Sequence, residues 1–288
     1  MKGILLAGGN GHRLWPNTVS LSKHLFPIYD KPMIYYSFST LLLAGVTEIA
    51  VIVTPRYRNL YQTLLGSGTK FGIKIYYCDQ QQPTGIPDAL KIVPDSFKND
   101  SVILVLGDNL LYGSGLGSIL KNTYSNSGAL IFGHEVSNPQ DYGVLVLNSN
   151  GVVIDIEEKP KVPKSRLAVP GIYYFDKHCF EFVNELSPSK RGETEIVQLL
   201  KKYLNSNQLE MQKLPRGYTW LDTGSYDNML EASEFIRVLQ LRHGVKISCP
   251  EEIALREGLI DKEMFYEIYQ TMPNSDYREY LKQVLENF

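Results

Sequence analysis

A chain of 288 residues can bury a sizeable core, and 43% hydrophobic against 21% charged residues is an ordinary balance for a soluble enzyme. A formal net charge of -2 without a basic run argues against a nucleic-acid partner, although a few placed Lys and Arg suffice for small acidic ligands. Three scattered cysteines (Cys78, Cys179, Cys249) without a CxxC pair, and histidines without zinc-ligand spacing, argue against a disulfide framework or a zinc site. No apolar run approaches the roughly 18 residues of a membrane span, and the opening apolar stretch is too short for a signal-peptide core, so a cytoplasmic location is expected.

Short aliphatic runs at 3–7, 48–53, 73–77, 102–106 and 129–136 alternate with amphipathic stretches at 33–44, 57–65, 88–93 and 116–124. This alternation predicts a Rossmann-like α/β fold, a mostly parallel sheet flanked by helices. Ligands of such sheets gather beyond the carboxyl ends of the strands, here the loops after Ala7, Tyr77 and Leu106. Strands then become denser, at 144–147, 152–157 and 172–175, with Asn148-Ser149-Asn150-Gly151 as a hairpin turn. A longer helix is expected from Ser225, which can cap it, with Met229, Ala232, Ile236 and Leu239 along one face. Beyond Gly244, helical patterns at 251–257, 261–269 and 277–285 form a helical appendage.

The first strand runs into Leu6-Ala7-Gly8-Gly9-Asn10-Gly11-His12-Arg13-Leu14. Glycines let the backbone approach a phosphate and turn several N–H groups toward it. A dinucleotide fingerprint is incomplete, because Leu14 replaces its third glycine and no acid closes the second strand at Val53-Thr54-Pro55; no G-K-[ST] completes a P-loop. A tight turn explains Gly8 and Gly9, but not Arg13 followed by Lys23 in the same connection.

The run 102–106 delivers Gly107-Asp108-Asn109 at its carboxyl end, where Asp108 suits a magnesium ion that takes one or two carboxylates and completes its shell with phosphate and water. Gly-Asp-Asn is equally ordinary turn chemistry. Asp222, in Trp220-Leu221-Asp222-Thr223-Gly224, is a second candidate ligand. Glu157-Glu158-Lys159-Pro160 reads as a solvated charged loop or as a Lys for a phosphate beside a Glu for a sugar hydroxyl.

In combination these motifs resemble the sugar-1-phosphate nucleotidyltransferases, most closely their thymidylyltransferase branch, almost end to end. Ser22-Lys23, Phe26-Pro27-Ile28-Tyr29-Asp30-Lys31-Pro32-Met33-Ile34-Tyr35-Tyr36, Asp141-Tyr142-Gly143-Val144, Arg191-Gly192-Glu193 and Ser248-Cys249-Pro250-Glu251-Glu252-Ile253-Ala254 add to the match. The resemblance implies a nucleotide-binding part over about 1–136, a smaller β-rich sugar-binding part over about 137–243, and the appendage over 244–288. It implies transfer of dTMP from dTTP to glucose 1-phosphate with release of pyrophosphate, for cell-surface polysaccharide or deoxysugar biosynthesis. Mg²⁺ is the implied cofactor and a homotetramer the implied assembly.

The resemblance also implies roles by position. Leu6, Ala7, Gly8, Gly9, Gly11 and His12 would meet the nucleotide, with Arg13 on the triphosphate and Lys23 by the reacting phosphates. Gln80 and Gly85 would read the pyrimidine edge. Asp108 and Asp222 would hold Mg²⁺, with Asp108 also beside the nucleotide. Gly143, Glu158 and Val169 would hold the sugar and Lys159 its phosphate. The sequence departs from the family pattern at His12 for Thr, His24 for Gln, Pro87-Asp88 for Ala-Gln or Ala-Asp, and Pro170 for Thr.

Use of UTP or another sugar stays open, since thymine and uracil differ by a methyl worth only roughly 1–3 kcal/mol in a pocket. The presence of Arg13, Lys23, Asp108 and Asp222 argues against a non-catalytic sensor, and the missing acidic ribose ligand against a nicotinamide oxidoreductase. The tail aromatics Phe265, Tyr266, Tyr269, Tyr277 and Tyr280 suit either a subunit contact or packing on their own chain.

Overall fold

The structure, a computed structural model, describes residues 1–189 and 192–288. Its strands are β1 (Lys2–Ala7), β2 (Pro27–Ile28), β3 (Lys31–Pro32), β4 (Glu48–Val53), β5 (Lys74–Asp79), β6 (Val102–Leu106), β7 (Asn109–Tyr112), β8 (Ala129–Glu135), β9 (Gly143–Leu147), β10 (Val153–Glu158), β11 (Leu167–Ala168), β12 (Ile172–Phe175), β13 (Leu209–Lys213) and β14 (Thr219–Asp222). Its α-helices are α1 (Ile34–Leu43), α2 (Arg58–Leu65), α3 (Asp88–Lys91), α4 (Leu116–Asn122), α5 (Cys179–Phe182), α6 (Ile196–Asn205), α7 (Tyr226–His243), α8 (Pro250–Arg256), α9 (Lys262–Thr271) and α10 (Asp276–Asn287). The elements expected from the sequence are present, with ends displaced by no more than two residues.

One ten-stranded sheet runs β10-β9-β11-β8-β12-β6-β1-β4-β5, with β13 alongside β8. The steps β6-β1-β4-β5 and β13-β8 are parallel; the steps from β6 through β12 out to β10 are antiparallel. Both faces of its centre are buried, which is why the strands read as unbroken aliphatic runs. Leu5, Val51, Ile103 and Val105 enter one core with α1 and α2, while Ile4, Ala50, Ile52 and Leu104 enter a second core with α3, α5 and α6. That split follows the period of two along each strand.

Helix α7 is capped as expected, the Ser225 hydroxyl accepting from the Asn228 N–H, and ends at Gly244 in a left-handed conformation. Its Ala232 and Ile236 pack on Ile28, Met33, Tyr36 and Leu110. The tail joins the first core through Leu255, Phe265 and Leu281. A Cβ on Gly72 would stand 1.9 Å from the Leu259 carbonyl oxygen, so chain body and tail touch backbone to backbone. Most tail aromatics pack on their own chain: Phe265 and Tyr280 are buried, Tyr277 donates to Glu251, and Tyr269 lies under Arg278, whereas Tyr266 is exposed. Among the described residues no helix is long and apolar enough to cross a membrane.

Several elements lie outside those expected from the sequence, the short β2, β3, β11 and α5 among them. The β7–β14 ribbon joins residues far apart in the chain; β13 is a short, half-exposed strand whose Leu209 and Met211 pack on the second core; and α6 shows Ile196, Leu199, Leu200 and Tyr203 at helical spacing.

Candidate active site

A cavity of about 520 Å³ opens beyond the carboxyl ends of β1 and β6. Leu6 and Gly8 line it, but the intervening Ala7 turns its side chain to the core, as strand alternation requires, and its carbonyl accepts from the Tyr61 hydroxyl at 3.1 Å. Ala7 therefore supplies no side-chain contact to the cavity. A Cβ on Gly8 would stand 2.7 Å from Gln80 Oε1, an approach that brings Gln80 to the cavity wall. Gly9 and Gly11 sit at φ +109° and +60°, the second opening the short turn that carries His12 and Arg13. Both of those side chains line the cavity, and Leu14 anchors the turn in the core.

The β7–β14 ribbon assembles the acidic centre. Asp222 stands opposite Asn109 in its ladder, next in sequence to Asp108. Thr223 donates both its N–H, at 2.9 Å, and its hydroxyl, at 2.8 Å, to the Asp108 carbonyl, while the Asn228 amide donates to the Asp222 carbonyl at 2.8 Å. Asn109 donates to Asp108 Oδ1 at 3.0 Å and accepts from the Gly171 N–H at 2.9 Å and Trp220 Nε1 at 2.6 Å. Lys23 Nζ pairs with Asp108 Oδ2. On the other side, a Cβ on Gly224 would lie 2.5 Å from Arg13 Nη2 and 3.0 Å from Asp222 Oδ1, which puts the guanidinium beside the second acid.

These surroundings drive the two acids apart. Burial raises the Asp108 carboxyl, but Lys23, His24 and the Asn109 amide outweigh it and hold the group well below the usual carboxylate range. Burial, then the Asp108 charge, push Asp222 up to about 6 against the pull of Arg13 and Lys23. Two oxygen donors whose mutual repulsion a cation relieves fit a hard divalent ion completing its shell on phosphate and water. Among the described residues no group of three or more His, Cys, Asp or Glu side chains forms a fuller metal cage.

His24 lines the cavity but is only 2% exposed. Burial, then the Lys23 charge, lower it to about 3, so it is neutral at physiological pH. Its ring is wedged against the turn before Asp108: a Cβ on Gly107 would stand 2.7 Å from His24 Cδ2.

At the far end of the cavity Gly143 faces Glu158 across the β9–β10 ladder, where a Cβ would lie 3.4 Å from Glu158 Oε2. Val169 lines the same end and donates its N–H to the Gly143 carbonyl at 2.9 Å. Lys159 follows at φ +44°, a conformation that non-glycine residues rarely adopt, fixed by its N–H on the Tyr142 carbonyl at 3.0 Å. Tyr142 packs on Trp220 with ring centroids 4.8 Å apart. Gly85, at φ +131°, and Glu193, Thr194 and Glu195 close the remaining wall; Arg191 lies outside the described residues. Asn109, His24, Trp220 and Thr194 carry no site role in the sequence motifs, although Asn109 follows Asp108 and His24 follows Lys23.

Residues 2–238 match the nucleotidyl transferase family. Glucose-1-phosphate thymidylyltransferases of Mycolicibacterium smegmatis and Mycobacterium tuberculosis are 45% and 46% identical, each over 99% of both chains. A Bacillus anthracis structure described under the same activity, in complex with sucrose, superposes with a TM-score of 0.76 at 36% identity, covering 82% of this chain and 95% of that one. With its motifs gathered on one cavity and these relatives matched along its whole length, the chain belongs to the nucleotidyl transferase family.

Proposed function

We propose that the protein transfers the thymidylyl group of dTTP to glucose 1-phosphate, forming dTDP-glucose and pyrophosphate. The observation that carries this reading is one cavity with an acid pair, Asp108 and Asp222, flanked by Arg13 and Lys23 at one end and Glu158 with Lys159 at the other. The names of the full-length relatives support the base and the sugar.

In this reading the backbone of Gly8, Gly9 and Gly11 receives the nucleotide, His12 and Arg13 take the triphosphate, and Gln80 and Gly85 read the base. Gly143, Glu158 and Val169 hold the sugar, and Lys159 its phosphate. Asp108 and Asp222 would hold a divalent cation, Mg²⁺ by the family resemblance, which neutralises phosphate charge when bound. A phosphate oxygen of the sugar attacks the α-phosphorus as the bond to the pyrophosphate oxygen breaks. That oxygen is already ionised at neutral pH, so no general base is required. Lys23 and Arg13 act by position and charge, which dominate such transfers.

The family resemblance extends to a homotetramer, and the outward face of α7 suits a subunit contact, with Leu230 and Leu241 65% and 64% exposed. A monomer by light scattering at micromolar concentration would overturn it.

The activity is tested with Mg²⁺, a panel of sugar 1-phosphates and each of four nucleoside triphosphates, following pyrophosphate release. Fastest turnover with dTTP and glucose 1-phosphate is expected. Preference for UTP or another sugar would correct the substrates, and no release with any pair would overturn the reading.

A further inference from the structure

The cavity wall has a seam where two distant segments meet. Gly85 belongs to the loop that follows β5 on the nucleotide side; Thr194 belongs to the segment leading into α6. They form a parallel β-bridge, with the Thr194 N–H on the Thr84 carbonyl at 2.7 Å. The fit is tight enough that a Cβ on Gly85 would lie 2.1 Å from the Thr194 carbonyl oxygen. The Thr194 side chain, 3% exposed, donates its hydroxyl to Asp88 Oδ2 at 3.2 Å, and Asp88 is held from the other side by Lys91 at 2.7 Å.

From Thr194 the chain enters α6 within two residues. That helix packs on β10, with Lys201 paired to Asp155 at 2.8 Å, and β10 ends at Glu158. Val197, in its first turn, comes within 3.7 Å of where a Cβ on Gly143 would be. One short path of packed elements therefore joins the loop at Gly85 to the residues proposed for the sugar.

We propose that Thr194 and Asp88 are positioning residues, a latch that ties the nucleotide loop to the sugar end so that occupation of one half of the cavity favours binding in the other. This rests on the reading of the site given above. Ordering the 80–88 loop around a base fixes Asp88; the bond to Thr194 then fixes the start of α6, and with it Gly143 and Glu158. The second ligand meets a wall already ordered and loses less conformational freedom on binding.

The test is isothermal titration of glucose 1-phosphate into the full chain with Mg²⁺, with and without saturating α,β-methylene dTTP. Wild-type protein should bind glucose 1-phosphate at least about five-fold more tightly when the nucleotide analogue is present, the lower end of usual coupling between sites. Thr194→Val should bring that ratio to within about two-fold of one, Asp88→Ala should do the same, and the pair together should do no more. Thr194→Ser, which keeps the hydroxyl, should restore coupling. A merely structural Thr194 would shift both affinities together and leave the ratio unchanged, which overturns the latch. So would a wild-type protein that binds both ligands independently. A wild-type protein that bound neither would overturn the reading of the site, and the latch with it.

Discussion

Asp222 stands directly across the β7–β14 ladder from Asn109, whose side chain in turn holds Asp108. The two acids of the centre are thus fixed by one short antiparallel ribbon and one amide, although they lie in separate parts of the chain. The arrangement makes Asn109 a support for the acids as well as part of the cavity wall.

Asn109→Ala should therefore damage stability and activity together. It leaves the Gly171 N–H and the Trp220 indole N–H without an acceptor, and one such buried donor costs about 1–3 kcal/mol. Loss of the amide on Asp108 should weaken divalent-metal binding about 10- to 100-fold, the usual scale for a residue that orients a metal ligand. Urea unfolding and a Mn²⁺ titration measure the two effects separately.

Asp108→Asn and Asp222→Asn should each lower turnover by orders of magnitude without loss of the fold. The metal-free proteins should differ in their response to pH. Folded Asp222 titrates near 6, above an unfolded carboxyl, so its ionisation destabilises the fold as pH rises through that range. Asp222→Asn should remove that loss. Mg²⁺ should raise the Tm of wild-type protein more at pH 8 than at pH 5, because protons compete for Asp222 at the lower value. Thermal melts with and without Mg²⁺ check both, and an equal Mg²⁺ effect at both pH values would remove Asp222 from the metal site.

His24 should tie stability to pH in the opposite sense. Its folded pKa, about 3, lies below that of an unfolded imidazole near 6.5. The unfolded chain thus takes up the proton first, and stability should fall as pH drops below about 6.5, by up to about 1.4 kcal/mol per pH unit. His24→Gln should flatten this slope. Urea midpoints from pH 7.5 to 5, compared between the two proteins, decide it.

Lys159→Ala should weaken glucose 1-phosphate binding by about 1.5–3 kcal/mol, the scale of a hydrogen bond to a charged group, and leave nucleotide affinity nearly unchanged. Relief of its left-handed backbone should show separately, as a higher Tm in Lys159→Gly than in Lys159→Ala. Titration of each ligand reads the first effect; loss of nucleotide affinity instead would reverse the assignment.

What the sequence determined by itself was local. The aliphatic runs and intervening helices, the glycine loop before Arg13, an acid beyond β6, and the Ser225 cap each follow from spacing or turn chemistry within a few residues. Tertiary structure alone decided how those pieces met. Pairing of 109–112 with 219–222 brought Asp222 to Asp108, and the bridge from Gly85 to Thr194 closed the opposite wall. Burial decided that His24 is neutral beneath the cavity. Periodicity and turn chemistry are properties of neighbours along the chain. Strand partners, desolvation and the shift of one carboxyl by another are set by residues a hundred positions away, and no local pattern carries them.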